Sequence, residues 1–264
     1  MSMSSVSDQA QPLPPILTLQ QVEMNFGGVI ALNRVSCEIP QGMIHAVIGP
    51  NGAGKTTLFN CVSGLLRPSA GAILFEGRQI QGLPPNHIAR LGISRTFQHI
   101  ALFKNMSVLE NVMLGRHVRS RAGFLATGLR LPGMRGEERR IEEKAMSILE
   151  FVELGGVAQV PAGTLPLGKQ KMLEIARALA TEPRLLLLDE PAGGLNMNET
   201  EELGELILRV RQLGTTVLLV EHDMNLVMDI SERILVLHYG EYLALGTPRE
   251  IKNHPAVIEA YLGE

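Results

Sequence analysis

Hydrophobic and polar positions along the chain fall into three patterns. From residue 16 to 48 they alternate, with turn residues at Gly27-Gly28 and Gln41-Gly42, which predicts antiparallel strands leading into a central strand. Another short strand is predicted over residues 72–76, between Gly71 and Gly77. Three runs are instead apolar almost without interruption: Ile44–Ile48, residues 185–188 and Thr216–Val220. Such runs read as parallel strands buried on both faces. The third pattern is helical. Over residues 137–153 the apolar positions Ile141, Ala145, Ile148, Leu149 and Val152 share one face, and residues 99–167 read as mainly helical. Further helices are predicted over residues 56–61 and 172–180. The whole predicts an α/β fold.

The apolar runs end in polar residues that carry chemistry. After Ile48 stands Gly49-Pro50-Asn51-Gly52-Ala53-Gly54-Lys55-Thr56-Thr57, which satisfies the phosphate-loop pattern G-x-x-x-x-G-K-[ST] in its strand-loop-helix context. A chance glycine-rich turn lacks that context. Glycines let the backbone wrap a polyphosphate, and the N–H groups and dipole of the following helix favour the anion. Lys55 would reach the β- and γ-phosphates and the Thr56 hydroxyl would bind Mg²⁺. The leucine run ends in Asp189-Glu190, at the strand end where open α/β sheets place ligands. Asp189 is a candidate Mg²⁺ partner through water, and Glu190 a candidate general base for an attacking water. Thr216–Val220 runs into Glu221-His222-Asp223, and His222, structural if it stood alone, completes a constellation with the other two strand ends.

Composition narrows the field. The 264 residues suffice for one large α/β domain with a sizeable core, and 45% apolar residues mark a globular chain. A net charge of −3 leaves no electrostatic footprint for duplex nucleic acid. Two cysteines, Cys37 and Cys61, are too few for a disulfide framework and fit a reducing compartment. No apolar run approaches the ~18 residues of a membrane span. Residues 1–15 are Ser/Gln/Pro-rich, lack the apolar centre of a signal peptide and read as a disordered leader.

From about residue 16 to the end the chain resembles the ATP-binding subunits of ABC transporters. The phosphate loop, Thr96-Phe97-Gln98, Leu165-Pro166-Leu167-Gly168-Lys169-Gln170, Asp189-Glu190 and His222 occur in the family's order. Within it the chain looks most like the LivG-type ATPase of bacterial branched-chain amino acid importers. The residues behind that closer likeness are Met24-Asn25-Phe26-Gly27-Gly28, Arg95-Thr96-Phe97-Gln98-His99, Leu173-Glu174-Ile175-Ala176-Arg177, Gly194-Leu195-Asn196, Glu221-His222-Asp223-Met224 and the tail Ala260-Tyr261-Leu262-Gly263-Glu264.

The resemblance implies a P-loop NTPase core with an antiparallel β-subdomain and a helical subdomain near residues 99–167. It implies ATP and Mg²⁺ as ligands, Phe26 as an adenine platform, and Gln98 as a residue touching Mg²⁺. It implies peripheral attachment to the cytoplasmic face of the inner membrane through two membrane-spanning permease subunits. A second ABC ATPase subunit and a separate solute-binding protein would complete the assembly. Urea or amide importers and a lipopolysaccharide-type exporter share much of the pattern. Of other classes, an ABC ATPase of DNA repair or translation usually carries two halves or a coiled-coil insertion, and a binding-only subunit is opposed by Glu190 and His222. The stretch 116–140, with seven arginines and two acids, reads as a solvated insertion, with a basic edge toward the membrane as the functional alternative.

At one motif the chain departs from its family. The signature, usually Leu-Ser-Gly-Gly-Gln, presents a serine and helix N-terminal amides to the partner's γ-phosphate. Here Pro166 stands at the serine, Leu167 at a glycine and Lys169 at the glutamine, while Gly168 remains. Pro166 offers neither hydroxyl nor N–H. The expectation is pairing with a different ATPase whose fuller signature completes the site on Lys55, Glu190 and His222. Asn196 replaces an aspartate common in the family and is expected at the subunit interface.

Overall fold

The computed structural model describes residues 14–96, 100–116 and 134–262. Gln98 and most of the basic stretch 116–140 therefore lie outside the described residues. Two sheets form the framework. The first is antiparallel and four-stranded, built from β1 (Pro15–Phe26), β2 (Val29–Pro40), β4 (Ala70–Phe75) and β5 (Arg78–Gln79) in the order β2-β1-β4-β5. The second has six strands: β3 (Ile44–Ile48), β6 (Ile93–Arg95), β7 (Leu185–Asp189), β8 (Thr216–Val220), β9 (Arg233–His238) and β10 (Glu241–Gly246). Its order is β10-β9-β3-β8-β7-β6, parallel except for β10 at one edge.

The uninterrupted apolar runs serve two cores at once. Along each strand alternate residues point to opposite faces. Ile44, Ala46 and Ile48 of β3, Leu186 and Leu188 of β7, and Val217 and Leu219 of β8 join one core; Val47, Leu185, Leu187, Leu218 and Val220 join the other. The first core is closed by α3 (Val108–Arg116), α4 (Met134–Phe151), α5 (Leu167–Leu179), α6 (Met197–Gln212) and α7 (Met224–Ile230). The second is closed by the antiparallel sheet, α1 (Lys55–Val62) and α2 (Pro85–Leu91). Cys61 packs in this second core, and burial pushes its thiol up to about 11. Helix α4 buries Ala145, Ile148 and Leu149, the face predicted from the spacing, and Val152 follows in the turn beyond it. Two short helices, α8 (Pro248–Lys252) and α9 (Pro255–Leu262), end the described chain against β10.

Strand order decides where chemistry can gather. β3, β8 and β7 are adjacent and parallel, so their carboxyl ends open side by side. The opposite edge of the sheet carries structural polar groups. Glu232 accepts from the Ile44 N–H at 2.7 Å and pairs with Arg211 of α6. His45 on β3 is 2% exposed, and among the described residues its Nε2 has no hydrogen-bond partner.

Burial first, and the charge of Arg233 second, push the His45 pKa down to about 4. The unfolded chain takes up this proton near pH 6.5, whereas the folded chain refuses it until about pH 4. Stability therefore falls as pH drops through that window. His45→Leu is expected to reduce the stability lost between pH 7.5 and 5 by about 2 kcal/mol. Urea unfolding of both proteins at the two pH values checks this.

Candidate functional site

The phosphate loop is wedged between two pieces of backbone. A Cβ on Gly49, at φ +152, would collide with the Leu237 carbonyl at the end of β9, and one on Gly54, at φ +96, with the Ala31 carbonyl and Leu32 of β2. Gly52, at φ +79, has nothing within 4 Å of its Cβ position and forms the open side of the loop. The Gly240 N–H donates to the Ala53 carbonyl at 3.2 Å, tying the turn after β9 to the same loop. Helix α1 begins at Lys55 with Gly54 at its N-cap and no side-chain cap, and its first intrahelical bond runs from Leu58 N–H to Gly54 C=O. The amides of Lys55, Thr56 and Thr57 thus precede the hydrogen-bonded ladder, the arrangement that suits an anion. Lys55 is buried, and its Nζ donates to the Gly49 and Pro50 carbonyls at 2.5 and 2.8 Å. Thr56 is exposed at the helix start. A polyphosphate fits this cradle.

At the end of β7 the two carboxylates part company. Asp189, 3% exposed, stays in the strand, and its Oδ2 accepts from Arg95 Nη2 at 2.6 Å. Arg95, on β6, also donates to Asn60 Oδ1 of α1 at 2.7 Å and to Oγ of its C-cap Ser63 at 2.9 Å. Glu190 leaves the strand. The ladder ends at Asp189, one residue past the apolar run, and Glu190 adopts φ +48, a conformation non-glycine residues rarely hold. Its Oε1 lies 2.9 Å from His222 Nε2, beyond the end of the neighbouring β8.

Glu221 orders this junction. It is buried; its Oε1 accepts from the Ala192 N–H at 2.7 Å and its Oε2 from the His222 N–H at 2.8 Å and the Asp223 N–H at 3.3 Å. One carboxylate therefore fixes the loop after Glu190 and the backbone of His222. Asp223 in turn caps α7 through Asn225 and Leu226 N–H groups.

Phe26 ends β1 and is 46% exposed, together with Val29 and Ile30 on the same hairpin tip. It is a surface aromatic, not a core one. The signature segment opens α5, with Pro166 at the N-cap and Leu167 partly exposed. Gly168 packs on α6: a Cβ there would stand 3.0 Å from the Glu199 carboxylate. Lys169 Nζ lies 3.6 Å from Glu202 Oε2, so its charge faces α6 within the chain. Asn196 has a local role. It N-caps α6 in a capping box, accepting from Glu199 N–H at 3.0 Å while Glu199 accepts from its own N–H at 3.0 Å.

A model of the ABC transporter family matches residues 32–193, from the strand behind the phosphate loop to the loop after Glu190. This chain belongs to the ABC transporter family. A second model, the branched-chain amino acid ATP-binding cassette transporter family, matches residues 243–264 of the cassette. The cassette is 48% identical over 251 residues to the high-affinity branched-chain amino acid transport ATP-binding protein BraF of Pseudomonas aeruginosa, covering 95% of this chain and 98% of that one. It is 47% identical over 251 residues to the corresponding LivG protein of Escherichia coli, with the same coverage. Among solved structures it is similar to the ADP conformation of an ATP-binding cassette of an ABC transporter, at 32% identity and TM-score 0.83, covering 95% of this chain and 100% of that one.

The fold brings the cassette's phosphate loop, Asp189, Glu190 and His222 to adjacent strand ends. It adds two residues to which sequence alone gave no role, Arg95 and Glu221. Arg95 joins the P-loop helix to Asp189 inside the protein. Arg95→Met strands a buried carboxylate and is expected to cost on the order of 3–5 kcal/mol. Adding Asp189→Asn should recover most of that loss. Urea unfolding of the single and double variants checks both.

Proposed function

We propose that this cassette is the ATP-hydrolysing subunit of an importer of branched-chain amino acids. The observation that carries the reading is the 48% identity across 95% of the chain to a protein bearing that description, joined by the C-terminal match at residues 243–264. The site supplies the chemistry. Lys55 exchanges the Gly49 and Pro50 carbonyls for the phosphates, beside the amides that open α1. Glu190 orients a water and takes its proton at the carboxylate. His222, 2.9 Å away, holds that carboxylate in line and donates toward the γ-phosphate. Phe26 offers its exposed ring to adenine.

Among the described residues no group of three His, Cys, Asp or Glu side chains could hold a metal. Magnesium suits such a site, because it takes few protein ligands and keeps phosphate oxygens and waters. Thr56, Gln98 and, through water, Asp189 would hold it, and it would neutralise phosphate charge.

Among the described residues no helix is long and apolar enough to cross a membrane. The cassette would sit at the cytoplasmic face of the inner membrane on two permease subunits, with a separate binding protein delivering solute. Pro166 and Lys169 argue for pairing with a different ATPase whose signature completes the site on this chain.

The test is ATP hydrolysis by this chain alone and mixed with its partner cassette. Activity should rise on mixing. Glu190→Gln should lower kcat on the order of 10²-fold or more with ATP binding intact. In cells the same variant should abolish leucine uptake and leave urea uptake unchanged; the reverse would overturn the assigned cargo. Equal loss from the matching substitution in the partner would overturn the asymmetry.

A further inference from the structure

Helix α5 carries a stripe of buried and half-buried charge that neither phosphate binding nor proton transfer uses. Lys171, Glu174 and Arg177 stand three residues apart, on one side of the helix. Glu174 is 3% exposed, Lys171 6%, and Arg177 is half-buried. Glu174 and Arg177 grip a single residue: Glu174 Oε1 accepts from the Ala101 N–H at 2.9 Å, and Arg177 Nη1 donates to the Ala101 carbonyl at 2.5 Å. Lys171 Nζ points the other way, to the Glu190 carbonyl at 3.4 Å. Lys171 and Glu174 also line a small cavity of about 10 Å³ with Thr96, Ile175, Asp189 and Pro191.

Stability does not explain these residues. Burial pushes the Glu174 carboxyl up against the pull of the Ala101 N–H, Arg177 and Lys171, and pushes Arg177 down. Desolvating such charges often outweighs their attraction, and apolar replacements of similar volume are commonly neutral or stabilising. The rest of α5 already uses that solution, with Met172, Leu173, Ile175, Ala176 and Leu179 in the core. What a hydrogen-bonded charge adds over a leucine is a fixed direction and distance. Here the fixed objects are the carbonyl of the catalytic carboxylate residue and both backbone polar groups of one residue, Ala101.

We propose that Lys171, Glu174 and Arg177 are positioning residues that lock Glu190 and Ala101 to α5. The helix is rigid over the span and carries Pro166 to Lys169 at its N-terminus. A displacement at that end reaches Glu190 through Lys171 and the start of the helical layer through Ala101. From Ala101 the path continues to Phe103, whose N–H and carbonyl bond to the buried Asn111 side chain of α3 at 3.0 and 3.1 Å. The catalytic consequence rests on the proposed ATPase reading; the grip on Ala101 does not.

Two measurements separate these parts. In the active mixture with the partner cassette, Lys171→Met should lower kcat on the order of tenfold with KM for ATP changed less than about twofold, and Lys171→Arg should restore kcat. In the cassette alone, Glu174→Leu with Arg177→Met should speed hydrogen exchange at the Ala101 amide on the order of tenfold or more beyond any change at the amides of α5. Wild-type kcat in Lys171→Met, or unchanged Ala101 exchange in the double variant, overturns the proposal. A wild-type mixture that binds ATP without hydrolysing it overturns the ATPase reading instead, and the exchange experiment still reads the grip.

Discussion

Burial of the parallel sheet on both faces is the constraint on which the rest of the structure depends. A strand with cores above and below it cannot carry charge along its length. In β7 and β8 the apolar run is unbroken until Asp189 and Glu221, and the polar residues that do chemistry begin where pairing ends. The topology then sorts the two edges. Glu232, Arg211 and His45 occupy the amino end and hold the sheet's entry. Lys55, Asp189, Glu190, Glu221 and His222 occupy the carboxyl end, on three neighbouring strands. Their convergence is a product of strand order, and no loop has to reach far to achieve it.

Concentrating charge at one edge creates a second problem, which the chain solves by pairing. Asp189 is met by Arg95, Glu221 by three backbone N–H groups, Lys55 by two carbonyls, and Glu174 by Ala101 and Arg177. Glu190 and His222 face each other at the mouth of the site and are the more exposed members. The gradient is physical. It runs from sealed, paired groups, Lys55 included, to the Glu190–His222 pair, which stays within reach of solvent.

Much of this was legible in the chain itself. The apolar runs gave the strands because their length and turn-bounded ends left no room for a buried helix, and the glycine pattern gave the phosphate loop because each glycine meets a steric demand. What was not legible is pairing at a distance. Arg95 and Asp189 are 94 residues apart, and nothing local to either marks the other. The Glu174–Arg177 spacing shows in the sequence, but its target, the peptide of Ala101, exists only once α5 packs against that segment. Phe26 could be read as core or surface from its strand, and only the hairpin's position makes it a surface ring. Asn196 is the opposite case. Asn-x-x-Glu is a visible capping signal, and the fold realises it as a capping box at the start of α6.

The departure at the signature can be weighed the same way. Pro166 sits at an N-cap with φ −56 and ψ 155, values proline adopts without strain, and the missing N–H lies outside the helical ladder. Gly168 is kept where a side chain would meet Glu199, and Lys169 finds a carboxylate on α6. Every residue of the segment therefore suits this chain's own fold. At Pro166 the change removes a hydroxyl and an amide at the start of α5. The irregular motif and the intact Glu190–His222 pair are thus each compatible with the fold of one subunit.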